Sequence, residues 1–184
     1  MVPTTKRYYP FGSLAAQVLG FCTVSGEGQE GLEKSLDSIL RGTDGRIVSE
    51  IDSRGRKMQT GEEEYIVPEN GYTVRLTVDY IIQSVMEKVA EQALEETGAQ
   101  SVQAVMMNVK TGEILGMVNA PDFDLNAPPR DDLSKLSALM RNKCVQDAYE
   151  PGSTFKILTT ALALENGVTD AEEGFNCKGY TMVD

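Results

Sequence analysis

The hydrophobic and polar positions change period several times along the chain, and each change marks an element. Ser13 to Val18 suits a short helix ended by Gly20. Leu32, Leu36, Ile39 and Leu40 recur at helical spacing, which predicts one helix over about 29–41 with Gly42 as its stop. The period then shortens. "GRIVSEIDSRGRKM" reads as a hairpin turning at Ser53-Arg54-Gly55, and Glu62-Glu63-Glu64 reads as a solvated loop. Val67-Pro68-Glu69-Asn70-Gly71 is rich in turn residues, which places a domain boundary there: 1–70 on one side, 71–184 on the other.

Beyond that joint, "YTVRLTVD" alternates Val74, Leu76 and Val78 with Arg75 and Thr77, the pattern of a half-buried strand. Asp79 is the expected N-cap of a helix over about 80–97, closed by Gly98. Two adjacent rows, Ile81/Val85/Val89/Ala93 and Ile82/Met86/Ala90/Leu94, give that helix a wide apolar stripe that must lie on a sheet. "SVQAVMMNV", a turn at Lys110-Thr111-Gly112 and "EILGMV" supply it as an antiparallel pair. An extended loop runs from Pro121 to Arg130, and Leu133, Leu136, Leu139 and Met140 predict another short helix. Helices on an antiparallel sheet make the fold class α+β.

Composition narrows the chemistry. Net charge is −11 over 184 residues, so a phosphate backbone is repelled and nucleic acid is not an expected partner. The chain contains no histidine, which removes Ser-His-Asp and Cys-His mechanisms and every histidine-containing zinc site. A nucleophile here needs a lysine, a carboxylate or a thiolate to activate it. Cys22, Cys144 and Cys177 show no C-x-x-C spacing, and an odd number leaves one or all of them unpaired. No stretch approaches the roughly 18 apolar residues of a membrane helix, and no signal peptide is present. The chain is therefore expected to be either cytosolic or a piece of a longer protein addressed elsewhere.

One stretch carries candidate chemistry. Pro151-Gly152 breaks the chain, Ser153 opens the apolar run Phe155, Ile157, Leu158, Ala161, Leu162, Leu164, and Asn166-Gly167 ends it. Ser153 and Lys156 thus stand at i, i+3 in the first turn of a helix. Free amides at that end stabilise negative charge on the serine oxygen or on a bound acyl oxygen. The same dipole, with burial, disfavours the lysine ammonium and so favours the neutral amine of a general base. A helix apolar on nearly every side is expected to be deeply buried and to hold the serine rigidly. Taken alone, S-x-x-K also describes an ordinary N-cap, and a chain this long holds on the order of one by chance.

"YEPGSTFK", Tyr149 to Lys156, resembles the active-site segment of class B penicillin-binding proteins, the monofunctional transpeptidases that cross-link peptidoglycan. "RYYPFGSLAAQVLGF" and "GQEGLEKSLDSILRGTDG" resemble the end of their non-catalytic N-terminal module. "GYTVRLTVDYIIQSVMEKVAEQAL" and "VMMNVKTGEILGMVNAPDFDLN" resemble the start of the transpeptidase domain and its first sheet hairpin. The segments stand in the family's order from Arg7 onward, nearer the division and sporulation type than the elongation type. The resemblance implies part of a pedestal or dimerisation module over 1–70 and the first part of a transpeptidase domain over 71–184. It also implies Ser153 as acylated nucleophile, Lys156 as its base, and the Ser153 amide as half of the oxyanion hole.

No cofactor and no metal are implied. The implied partners are peptidoglycan stem peptides, β-lactams, and other cell-wall or division proteins met through the N-terminal module. The implied location is the extracytoplasmic face of the cell membrane. The family's S-x-N and K-T-G motifs are expected beyond Lys156. Lys110-Thr111-Gly112 precedes the serine in a hairpin turn and is not that motif. The chain is accordingly expected to be a middle piece, inactive alone and prone to self-association. Two other readings stay open: a non-catalytic protein-interaction module, and a β-lactam sensor or serine β-lactamase, against which the segments from Arg7 to Gly45 argue.

Overall fold

The computed structural model describes residues 6–49, 63–174 and 179. The chain divides into two compact units, Met1–Asp147 and Ala148–Asp184. The first holds α1 (Ala16–Leu19), α2 (Gly31–Ser35), α3 (Asp37–Leu40), β1 (Arg46–Ser49), β2 (Glu63–Ile66), α4 (Tyr80–Thr97), β3 (Val102–Met107), β4 (Ile114–Ala120), α5 (Leu133–Met140) and α6 (Lys143–Gln146). The second holds a 3₁₀ turn, Gly152–Phe155, running directly into α7 (Lys156–Glu165). Both described sheets are antiparallel pairs, β1 with β2 and β3 with β4, so the class is α+β as expected.

Helix α4 and the β3–β4 hairpin form one core. Asp79 caps the helix, its Oδ1 accepting the Ile81 and Ile82 amides at 2.8 and 3.0 Å. Val102 to Met106 pair with Ala120 to Gly116, and a bulge follows between Met106 and Met107. Ala90, Val118 and Ala120 are buried, with Met86, Leu94, Val102 and Ala104 packed against them. Gly116 is what lets the helix lie this close. A Cβ there would stand 2.5 Å from the Met86 sulfur and 3.3 Å from Ile82 Cγ2.

Only one of the two expected apolar rows of α4 meets that sheet. Ile82, Met86, Ala90 and Leu94 turn inward, whereas Ile81, Val85 and Val89 are 69%, 57% and 59% exposed. The expectation that Ile81 would pack across the sheet is corrected. A two-stranded sheet is narrower than the helix stripe, so it covers a single row.

A second core joins distant parts of the chain. Ala16 and Phe21 pack with Phe123, Leu125 and Leu136, flanked by Tyr9, Leu19, Leu139 and Met140. The Phe21 and Phe123 rings meet edge to face at 5.9 Å. Polar groups stitch the same joint. The Asn126 side chain pairs with both backbone groups of Tyr9, at 2.9 and 2.8 Å. Arg130 donates to the Cys22 carbonyl at 2.8 Å and stands 5.3 Å from the centre of the Phe21 ring. Arg7 grips Glu33 with two bonds of 2.6 and 2.8 Å, and Glu33 is only 8% exposed.

Three further expectations are corrected. The single helix over 29–41 is two short ones, broken at Leu36, whose φ of −115° leaves the helical range. The break swings Asp37 so that its carboxylate accepts the Gly28 amide at 2.8 Å. β1 pairs with Glu63–Ile66, so Glu63 and Glu64 are strand residues rather than loop. The expected turn at Ser53-Arg54-Gly55, the 56–58 arm, Glu62 and Cys177 lie outside the described residues. "YTVRLTVD" forms no ladder. Its bonds go singly to Ile39, Ile114 and Leu115 carbonyls, from the Tyr72 amide, the Thr77 hydroxyl and the Asp79 amide. The alternation of Val74 and Leu76 instead records side chains lining a groove with Leu32, Leu36 and Leu40.

Candidate active site

The second unit presents the S-x-x-K stretch on a short, tightly wound turn. Gly152 takes φ +56°, a conformation open to glycine at little cost, and turns the chain out of Pro151. The Thr154 amide and hydroxyl both donate to the Pro151 carbonyl, at 3.2 and 2.6 Å, and the Lys156 amide donates to the Ser153 carbonyl. Ser153 therefore lies in the 3₁₀ turn and Lys156 is the first residue of α7. Side chains three apart on a 3₁₀ turn lie one above the other, so the expected shared face survives this change of winding.

The expected burial does not. Ser153 and Lys156 are both exposed, and no residue of α7 is buried. Ile157, Leu158 and Leu162 are 72%, 57% and 59% exposed. Among the described residues nothing hydrogen-bonds the Ser153 hydroxyl and nothing pairs with the Lys156 ammonium. Helix periodicity reports which side chains share a face. It does not report whether anything covers that face, and the inference from an all-round apolar helix to a buried serine fails at that step.

Sequence reasoning also missed a buried polar network in the first unit. Gln83, fully buried, uses its side-chain amide as a strand would: Oε1 accepts the Met117 amide and Nε2 donates to the Met117 carbonyl, both at 2.8 Å. Nε2 also donates to Glu87 Oε1 at 2.7 Å, and that oxygen accepts the Ala15 amide at 2.7 Å. Ala15 sits at φ +52°, a left-handed conformation costly for alanine, and the carboxylate holds it there. Burial pushes the Glu87 carboxyl above its ordinary 4.5, against the two hydrogen bonds that favour its charge; Asp122 adds to the rise. The available signal was a glutamine beside an apolar row with a glutamate one turn on. Cys144, a free thiol, lies 3.3 Å from the Val118 carbonyl, and burial pushes it up. Cys22 is also free. Among the described residues no cluster of His, Cys, Asp or Glu forms a metal site.

With this geometry in view, comparison with known proteins defines the class. Residues 102–184 match the penicillin binding protein transpeptidase domain, and residues 1–76 match the penicillin-binding protein dimerisation domain. The chain is 41% identical over 180 residues to stage V sporulation protein D of Bacillus subtilis, covering 97% of this chain and 27% of that protein. It is 39% identical over 178 residues to the probable peptidoglycan D,D-transpeptidase PenA of Neisseria meningitidis, covering 96% of this chain and 30% of that one. The crystal structure of penicillin binding protein 3 from Mycobacterium tuberculosis in its apo form superposes with a TM-score of 0.69 at 35% identity, over 91% of this chain and 33% of that one. The chain belongs to the class B penicillin-binding proteins. It spans 27% to 33% of the length of these relatives.

Proposed function

We propose that the whole protein is a peptidoglycan D,D-transpeptidase, with Ser153 as nucleophile and Lys156 as general base. The observation that carries this reading is S-x-x-K on a 3₁₀ turn opening an apolar helix, inside the stretch that matches the transpeptidase domain. In the step proposed, Ser153 Oγ attacks a stem-peptide carbonyl carbon while its proton passes to Lys156 Nζ. The C–O bond forms, the C–N bond breaks, and the proton goes from Lys156 to the leaving amine. The Ser153 amide supplies one oxyanion donor. An acceptor amine then takes the acyl group and completes the cross-link. A β-lactam enters the same path through its ring carbonyl, but its amine stays tethered to the acyl group.

Residues 1–70 form the end of the dimerisation module and 71–184 the start of the transpeptidase domain, a division supported by domain matches over 1–76 and 102–184. The module meets other cell-wall or division proteins, and the whole protein works at the extracytoplasmic face of the membrane. No described helix is long and apolar enough to cross a membrane. The 184-residue chain alone is acylated poorly, because an exposed serine with an unbonded hydroxyl lacks the fixed geometry the reaction needs. Covalent labelling by penicillin tests the assignment in the whole protein. Ser153→Ala should abolish it and Lys156→Ala should slow it by about 10²–10⁴-fold; labelling unchanged in Ser153→Ala would overturn the reading.

A further inference from the structure

The turn-rich joint over 67–71 ends in Asn70-Gly71, one of two Asn-Gly pairs among the chain's seven asparagines. The other described asparagines are held by their side chains. Asn108 Oδ1 accepts the Lys110 amide at 3.0 Å, and Asn119 and Asn142 bond each other at 3.0 Å. Asn126 holds the Tyr9 backbone, and Asn166 donates to the Leu162 carbonyl at 2.8 Å. Asn70 is exposed, and among the described residues its side chain bonds nothing. The Gly71 amide is equally unbonded among them, whereas the Gly167 amide of the other pair donates to the Leu164 carbonyl at 3.1 Å. Packing fixes the second residue of the pair. A Cβ on Gly71 would stand 2.0 Å from the Leu40 carbonyl oxygen, so only glycine fits there. Bonds pin the chain on either side of it. The Glu69 amide and carbonyl pair with Thr43 at 2.9 and 2.8 Å, and the Tyr72 amide donates to the Ile39 carbonyl at 2.8 Å.

An asparagine side chain closes a five-membered ring on the next backbone nitrogen when both groups are free, and a glycine there puts no Cβ in the way. We propose that Asn70 is a site of spontaneous covalent modification, converted in the folded chain to isoaspartate or aspartate. The Gly71 nitrogen attacks the Asn70 side-chain carbonyl carbon. The C–N bond of the side-chain amide breaks, and its nitrogen leaves as ammonia with the proton from Gly71. Water then opens the resulting succinimide at either carbonyl. Opening to isoaspartate routes the backbone through the former side chain and adds one carbon between Glu69 and Gly71. The lengthened span cannot keep both the Thr43–Glu69 pairing and the Tyr72–Ile39 bond, so the modification loosens the joint in one direction only. The site is built from residues 39–43 and 69–72 and does not rest on the reading of Ser153 and Lys156.

The test ages the 184-residue chain in mildly alkaline buffer, with Asn166→Gln removing the other Asn-Gly pair. Peptide mapping by mass follows the amide-to-acid change at Asn70, and methyl acceptance identifies isoaspartate. Because the site needs no unfolding, its rate in the folded chain should lie within about 3-fold of the rate in guanidinium. The aged chain, separated by its added charge, should exchange the Thr43, Glu69 and Tyr72 amides at least about 10-fold faster than the fresh chain. Asn70→Asp, which adds the charge without the extra carbon, should keep the fresh chain's exchange at those amides. Asn70→Gln should stay unmodified. An Asn70 that survives in the folded chain while converting in guanidinium would overturn the proposal. So would aged chain with unchanged exchange at the three amides, or equal loosening in Asn70→Asp.

Discussion

Helix α4 carries a wide apolar stripe and α7 is apolar on nearly every side, yet α4 has a covered row and α7 has none. α4 lays Ile82, Met86, Ala90 and Leu94 on β3 and β4, and locks the contact through Gln83 and Met117. It runs 18 residues under an aspartate cap. α7 runs 10 residues with no side-chain cap, and its Ile157, Leu158, Leu162 and Leu164 are all exposed. An isolated helix shorter than about 12–15 residues is marginal in water whatever its propensity. The two helices therefore differ in length, cap and covering, and the more apolar one is the less supported.

Hydrogen exchange in dilute solution would break this comparison most directly. Amides in the middle of α4 should exchange at least about 10³-fold more slowly than those of α7, which open at almost no cost. At micromolar concentration the exposed face should recruit other copies. Sedimentation should then show species larger than the monomer, together with slower exchange in α7. A strict monomer with α7 strongly protected would show that the helix is self-sufficient.

Two phenylalanines sharpen the same contrast. Phe123 is 7% exposed in the core with Phe21, and Phe155 is 56% exposed. Phe123→Ala should cost about 3–5 kcal/mol of stability, whereas Phe155→Ala should stay within about 0.5 kcal/mol. Urea unfolding of both variants measures it, and similar losses would erase the distinction drawn here. Gln83→Leu should come next, at roughly 2–4 kcal/mol, because it leaves the Met117 amide and carbonyl buried without partners. A neutral result would mean that water replaces the glutamine.

The smallest effect is electrostatic. Burial raises the Glu87 carboxyl above its ordinary 4.5, so the folded chain holds that proton longer than the unfolded one. Glu87's contribution is fully present below the ordinary value and is lost as pH rises through the raised one. Glu87→Gln removes that loss. Relative to the unsubstituted chain, the variant should therefore gain stability between about pH 4 and pH 7, by under about 1 kcal/mol for a partly exposed carboxyl. Unfolding midpoints that keep a constant difference across that range would show that Glu87 does not titrate in the window.

The sequence by itself determined a good deal. Asp79, the apolar period and Gly98 specify α4 from Tyr80 to Thr97, because caps and periodicity are local properties. Lys110-Thr111-Gly112 specifies the turn between β3 and β4 for the same reason, and the order of short segments was enough to carry the family. Ser153 and Lys156 were legible as a pair because three residues of separation along any helical backbone bring two side chains to one face.

What tertiary structure decided is everything that depends on a partner distant in the chain. It chose which row of α4 is buried, since both rows are equally apolar and the hairpin is wide enough for one. It turned "YTVRLTVD" from an expected strand into an extended segment, because a ladder needs a neighbour along its whole length. It joined Phe21 to Phe123 and the Tyr9 backbone to Asn126 across more than a hundred residues, contacts that no local pattern encodes. It placed Glu87 beneath the left-handed Ala15, and it left Ser153 exposed on a helix whose pattern had promised burial. Spacing fixes which side chains share a face; only packing fixes what that face meets.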